Sequence, residues 1–196
     1  MTKPVVLASA SPRRTALLKQ MQIPHIVFPA DIDELPQPNE TPLALVSRLA
    51  SEKAEAVKAK LIASGQYDAN SVILASDTLI SFCGTSVGKP TDKADSKRIL
   101  KMLSGKTHEV LTSISVLSNV KQNTQVVTTS VTFAALTDEQ IDAYWETGEP
   151  ADKAGSYAIQ GIGGEFVVSI NGSASAVIGL PLYETRQLLN AFGVVS

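Results

Sequence analysis

The residues best able to do chemistry gather first at Ser9-Ala10-Ser11-Pro12-Arg13-Arg14. Ser11 is a favoured N-cap and Pro12 suits the first helical position, so Arg13 and Arg14 fall in the first turn of a helix. Cations there oppose the helix macrodipole, which favours acidic side chains at that end. A bound anion removes the conflict, because free N–H groups, the dipole and both guanidiniums all attract it. The same arginines could instead pair on the surface with Asp31, Asp33 or Glu34, and the sequence leaves both readings open.

Asp77 is the second signal. It follows Val72-Ile73-Leu74-Ala75 and precedes Leu79-Ile80, so it is expected where a strand emerges from the core. A carboxylate there needs a cation, hydrogen-bond donors or a metal. A capped turn between two strands is the plainer alternative. Lys53 and Lys89 form the third signal. Lys53 interrupts the apolar stripe of a helix, where a lone lysine snorkels at the edge of the core; Lys89 sits in a Gly88-Lys89-Pro90 loop. The acidic loop from Asp31 to Asn39, Glu34 foremost, could join Asp77 in holding a hard cation such as Mg²⁺ or Mn²⁺ through oxygen. Singly these signals are weak; together they describe a metal and a phosphate.

Other motifs fail on inspection. Gly105-Lys106-Thr107 imitates the end of a P-loop, but Leu100 stands where that pattern needs glycine, and the helix–strand order is reversed. Gly161-x-Gly163 has Phe166 at the third glycine position, with no helix expected after it. His25 and His108 are the only histidines, too far apart in the chain to suggest a zinc site.

Composition sets the class. The chain has 196 residues, 44% hydrophobic and 18% charged, enough to bury a substantial core in one large domain or two small ones, with no obvious linker across residues 1–196. A net charge of −2 provides no global basic field for nucleic acid, so an anionic ligand must be held by local cations. Cys83 is the only cysteine, which excludes an internal disulfide and suits a reducing compartment. Ala8-Ser9-Ala10 imitates a signal-peptidase site, but the apolar run from Val5 to Ala8 is far too short for a leader. No stretch approaches the ~20 apolar residues that span a membrane, and a cytoplasmic location is expected.

The elements that must position these residues can be read in order. Val5–Ala8 is expected as a short buried strand before the Pro12 helix, and His25–Phe28 as a second strand. Thr41-Pro42 opens a helix reaching about Ser64, stopped by Gly65, with an inner stripe of Val46, Leu49, Ala50, Lys53, Ala54, Val57 and Leu61. Ser71–Ala75 reads as a strand and Leu79–Phe82 as another apolar run. Asp92 can cap a helix ending near Ser104-Gly105. Residues 107–118 and 124–135 read as a hairpin, and Thr137 with Gln140 as a capping box before a helix that stops at Gly148. Strand-like Ser156–Ile159 and Glu165–Ile170 flank a glycine cluster, and a last helix follows Gly179-Leu180-Pro181. The pattern predicts an α/β fold with a mixed sheet.

At this point the chain resembles the Maf family of nucleotide pyrophosphatases along nearly its whole length. The matching blocks are Ala8-Ser9-Ala10-Ser11-Pro12-Arg13-Arg14, Asp33-Glu34, Ala50-x-x-Lys53-Ala54, Ser76-Asp77-Thr78 and Gly88-Lys89-Pro90. Two more follow in order: Ala151-Asp152-Lys153-Ala154-Gly155-Ser156-Tyr157-Ala158-Ile159-Gln160-Gly161 and Gly179-Leu180-Pro181-Leu182. Within the family, Arg13, Thr78 and Gln160 match the branch acting on dTTP and UTP. The branch acting on 7-methyl-GTP has Trp, Gln and Glu at these three places. Ser76 departs slightly, since the dTTP/UTP branch often has alanine there.

The resemblance implies an elongated, two-lobed α/β fold, inosine triphosphatase-like, with a mixed central sheet flanked by helices and a deep cleft. Some members form dimers, so a homodimer is open to this chain. It also implies a Mg²⁺- or Mn²⁺-dependent attack of water on the α-phosphorus, releasing a nucleoside monophosphate and pyrophosphate, to clear unwanted nucleotides. Ser9, Arg13, Arg14, Lys53 and Lys89 would hold the substrate, with Thr78 and Gln160 selecting the base. Asp77 is the family's proposed proton acceptor, though a metal-ligand role fits it equally, with Glu34 beside it. Two rivals stand: a non-catalytic nucleotide-binding regulator of cell division, and a pyrophosphatase for modified purine nucleotides.

Overall fold

A computed structural model describes residues 3–194 of the chain. Seven strands build one mixed sheet: β1 (Val5–Leu7), β2 (His25–Val27), β3 (Val72–Phe82), β4 (Thr85–Val87), β5 (Thr107–Leu117), β6 (Gln122–Phe133) and β7 (Val167–Asn171). Their order is β2-β1-β3-β5-β6-β7, with β4 paired to β3. The first three neighbours are parallel and the remainder antiparallel. Helices α1 (Pro12–Gln20), α2 (Pro42–Ala63), α3 (Lys93–Leu103), α4 (Asp138–Glu146), α5 (Ala174–Ile178) and α6 (Leu182–Ala191) accompany the sheet. The α/β reading with a mixed sheet and flanking helices is what the chain adopts.

Local chemistry sets most helix starts. Thr41 caps α2 by accepting from the Ala44 N–H, and Asp92 caps α3 by accepting from Asp95. Thr137 and Gln140 form the full reciprocal box on α4. The expected stripe on α2, Lys53 included, is buried throughout. At α1 the capping expectation is corrected: the Ser11 side chain makes no cap bond, and Ser9 Oγ instead accepts from the Ser11 N–H at 3.1 Å.

Two further expectations change. The break at Asp77-Thr78 does not exist, because β3 runs through it as one strand of 11 residues. Alternation explains this: Asp77 points to the face covered by α2, where Lys53 meets it, so its charge need not leave the sheet. The real reversal comes at Cys83-Gly84, both with positive φ (50° and 77°), between paired Phe82 and Thr85. That is the geometry a two-residue hairpin loop requires. Ser156–Ile159 forms no strand. Short 3₁₀ turns occupy Glu149–Asp152, Ala154–Ser156 and Ile162–Phe166, and left-handed φ at Gly155 and Ser156 (70° and 61°) prevents extension. Strands β4 and helix α5 are additions that no period marks.

Two hydrophobic clusters divide the molecule. One gathers β1, α1 and α6 around Leu7, Leu18, Ile114 and Leu189. The other gathers α3, α4 and the far ends of β5 and β6 around Ile99, Leu103, Phe133 and Tyr144. Strand β3 belongs to both lobes. Its start pairs with β1 at Val72–Leu74 and its end with β4 at Ile80–Phe82. Among the described residues no strand covers that edge of β3 in between, and a cleft opens there.

Candidate active site

The cleft has a volume of about 600 Å³ and is lined from both lobes. Ser9, Arg13, Arg14, Glu34, Lys53, Asp77, Thr78, Lys89 and Gln160 all line it. Every site residue expected from sequence is thus brought to one place.

The acidic side is built on β3 and α2. Lys53 Nζ lies 2.6 Å from Asp77 Oδ1 and 2.6 Å from Glu34 Oε1. Lys53 and Asp77 are each only 8% exposed, so water does little to screen them. Glu34 is exposed, on a loop fastened to α2. Arg48 donates to both Glu40 carboxylate oxygens (2.7 and 2.8 Å) and to the Leu35 carbonyl at 3.1 Å. Those bonds, with one from the Gln37 N–H, hold the Glu40 carboxyl down to about 2. Glu34 and Asp77 are therefore two hard oxygen donors meeting across a single ammonium. Among the described residues no group of three or more His, Cys, Asp or Glu could hold a metal ion.

The basic side is built on the β1–α1 turn. Half-buried Arg14 donates to the Gly179 carbonyl (2.9 Å), Ser9 Oγ (3.2 Å) and Thr78 Oγ1 (3.4 Å). Burial lowers its pKa, with Asp77 opposing, yet guanidinium stays charged in proteins. Thr78 points to the opposite face from Asp77, and its hydroxyl lies 3.1 Å from that of Thr112. Arg13 and exposed Lys89 make no hydrogen bond or ion pair among the described residues. The acids offered as surface partners for the arginines are engaged elsewhere: Asp31 with Lys60, Asp33 with the Leu35 N–H and Glu34 with Lys53. Neither arginine pairs with those acids; Arg13 and Lys89 face the cleft without a direct ion pair among the described residues, and the Arg13 charge reaches Asp152 on the same cleft wall.

Gln160 sits exposed on the turn after Tyr157, and its carboxamide makes no bond to the described residues. Its turn is held by residues that sequence reasoning passed over. Tyr144 OH donates to Glu149 Oε1 at 2.6 Å and accepts from the Ala158 N–H at 3.1 Å. Glu149 also accepts from the Ile162 and Gly163 N–H groups at 3.0 and 2.9 Å. Burial pushes the Glu149 carboxyl up, but the Tyr144, Gly163 and Ile162 bonds outweigh it and leave it lowered. Lys153, paired with Asp152, also lines the cleft. It lies inside the Ala151–Gly161 block, which was the available signal for it. Glu149 had none, because two of its three donors are backbone N–H groups and the third is a tyrosine hydroxyl on another element.

Comparison with known proteins agrees with this geometry. The family model described as Maf-like protein matches residues 4–192. A dTTP/UTP pyrophosphatase of Pseudoalteromonas atlantica is 50% identical over 186 residues, 95% of both chains. One from Pseudoalteromonas translucida is 50% identical over 98% of each chain, and one from Aliivibrio fischeri 47% identical over 96% of this chain and 97% of its own. Among solved structures, the Staphylococcus aureus Ham1 protein is similar over 67% of this chain and 72% of its own, at 16% identity and a TM-score of 0.45. A family model matched over residues 4–192, with relatives 50% identical over nearly the whole length, establishes that this chain belongs to the Maf-like family.

Proposed function

We propose that this chain hydrolyses dTTP and UTP to the nucleoside monophosphate and pyrophosphate. The observation that carries the reading is a buried Lys53–Asp77 pair sharing a cleft with two cations, Arg13 and Lys89, that make no direct ion pair among the described residues. The names of relatives near 50% identity point the same way.

Glu34 and Asp77 would hold a divalent cation such as Mg²⁺ or Mn²⁺ through the carboxylate oxygens that Lys53 does not engage. Bound there, Mg²⁺ or Mn²⁺ supplies charge neutralisation on the triphosphate. Arg13, Arg14 and Lys89 hold the phosphate chain and stabilise charge as it moves toward the leaving group. Asp77, oriented by Lys53, takes the proton of the attacking water on the oxygen that Lys53 leaves free or, where that oxygen holds the cation, serves as its ligand instead. The water oxygen bonds to the α-phosphorus, the bond to the bridging oxygen breaks, and pyrophosphate leaves. Gln160 reads the uracil or thymine edge, where an acceptor lies beside a donor, a pattern that one carboxamide complements. Clearing unwanted nucleotides is the role this chemistry suits, and a cytoplasmic location is part of the proposal. No described helix is long and apolar enough to cross a membrane.

The test is a panel of UTP, dTTP, CTP and GTP with Mg²⁺, Mn²⁺ or a chelator, with products identified. Monophosphate and pyrophosphate from UTP and dTTP are expected, only with metal, and Gln160→Glu should sharply reduce both. Release of orthophosphate, or no turnover of any nucleotide, would sink the proposal.

A further inference from the structure

The proposed base selection leaves one physical demand unmet within the cleft. A carboxamide can offer a donor or an acceptor to any base edge within reach, so Gln160 discriminates only if its distance and angle to that edge are imposed from outside. Its side chain has no partner among the described residues, so the backbone of its turn must impose that position.

That backbone is gripped on both sides of Gln160. Two residues before it, the Ala158 N–H donates to Tyr144 OH at 3.1 Å. Two and three residues after it, the Ile162 and Gly163 N–H groups donate to Glu149 at 3.0 and 2.9 Å. Tyr144 and Glu149 are joined by a bond of 2.6 Å, so one connected unit takes three backbone donors of the turn. The glycines are part of the fit. A Cβ at Gly161 would lie 2.1 Å from Glu149 Oε2, and one at Gly163 would lie 2.6 Å from Tyr144 OH. In this cluster, unexplained as a phosphate fingerprint, Gly161 leaves room for the carboxylate and Gly163 for the tyrosine hydroxyl, while Gly164 accommodates the Ile159 carbonyl oxygen. The unit is anchored in turn, because the Tyr144 ring is 2% exposed and packs edge-on to Phe166 at 5.0 Å. Glu149 does not line the cleft. It can influence a substrate only through the turn.

We propose that Glu149, acting with Tyr144, is a positioning residue that fixes the Gln160 turn and thereby sets base selectivity. The inference rests on the proposed reading of Gln160 as the base-reading residue. Three donors converge on the pair, and a carboxylate has the acceptors for them in a way that a carboxamide does not. Glu149→Gln keeps the size but replaces one acceptor with a donor aimed at an N–H group. Tyr144→Phe keeps the ring packing and removes only the hydroxyl.

The experiment compares kcat and KM for UTP, CTP and GTP in wild type, Glu149→Gln and Tyr144→Phe, with thermal melts confirming that each is folded. In both variants the preference for UTP, over whichever of CTP and GTP wild type discriminates more strongly, should fall at least about tenfold. The UTP loss should appear mainly in KM. A simple loss of stability would scale all three nucleotides alike. An unchanged preference in either folded variant overturns the inference, as does loss of all activity in both. Should wild type itself fail to turn over UTP or show no preference, the base-reading role of Gln160 fails first, which separates the two outcomes.

Discussion

At Asp77 the proposed chemistry depends on one side chain held by one ion pair. The carboxylate is buried on the α2 side of β3 and meets Lys53 at 2.6 Å, with Glu34 equally close to the same ammonium. Asp77→Asn preserves volume and removes the negative charge, so the variant should fold and turn over UTP at least about 10²-fold more slowly, the scale of a lost general base. Pyrophosphate release near the wild-type rate from a folded variant would remove Asp77 from the mechanism. The lysine was readable from the helical stripe of α2, and the carboxylate from its place within an apolar run. Their contact was not, since it joins residues 24 apart on different elements.

At the scale of elements, β5 carries a consequence for stability. His108 lies near its start, 2% exposed, hydrogen-bonded to Tyr157 OH at 2.8 Å and edge-on to Phe133 at 4.9 Å. Burial lowers its pKa from 6.5 to about 4. Between those values the unfolded chain holds a proton that the folded chain does not, so stability falls as pH drops through this window and the loss is complete below it. The contribution reaches about 3 kcal/mol if the whole shift is expressed. Denaturant midpoints at pH 7 and pH 4 should therefore separate more for wild type than for His108→Phe. Equal separations would mean that His108 does not titrate differently on folding.

Across the whole molecule the net charge is −2, yet Arg13, Arg14, Lys53, Lys89 and Lys153 all line one cleft. A cleft with low-dielectric walls focuses such a local field and draws in anions that the global charge would not. Arg13→Ala and Lys89→Ala should each lower kcat/KM for UTP about tenfold or more, as charge-assisted contacts to phosphate are lost. The KM of wild type should rise with added salt, and less steeply in either variant. Wild-type kinetics in both variants would leave the two cations without a role in binding.

The sequence by itself determined much that is local: helix starts at Thr41, Asp92 and Thr137, the buried face of α2, and the side chains that belong together. These follow from propensity, periodicity and side-chain chemistry, which act over a few residues. The two faces of β3 were within reach of the same reasoning, since alternation separates Asp77 from Thr78, but the polar pair disguised a continuous strand as a turn. Only the tertiary structure decided that Lys53 would hold two carboxylates, that β3 would lie uncovered between β1 and β4, and that Glu149 would grip the Gln160 turn. Each of these joins segments apart in the chain, through ion pairs between side chains, strand pairing, or bonds to backbone N–H groups that every residue but proline carries. Such partners leave no mark in composition or period, so they exist only once the chain has folded.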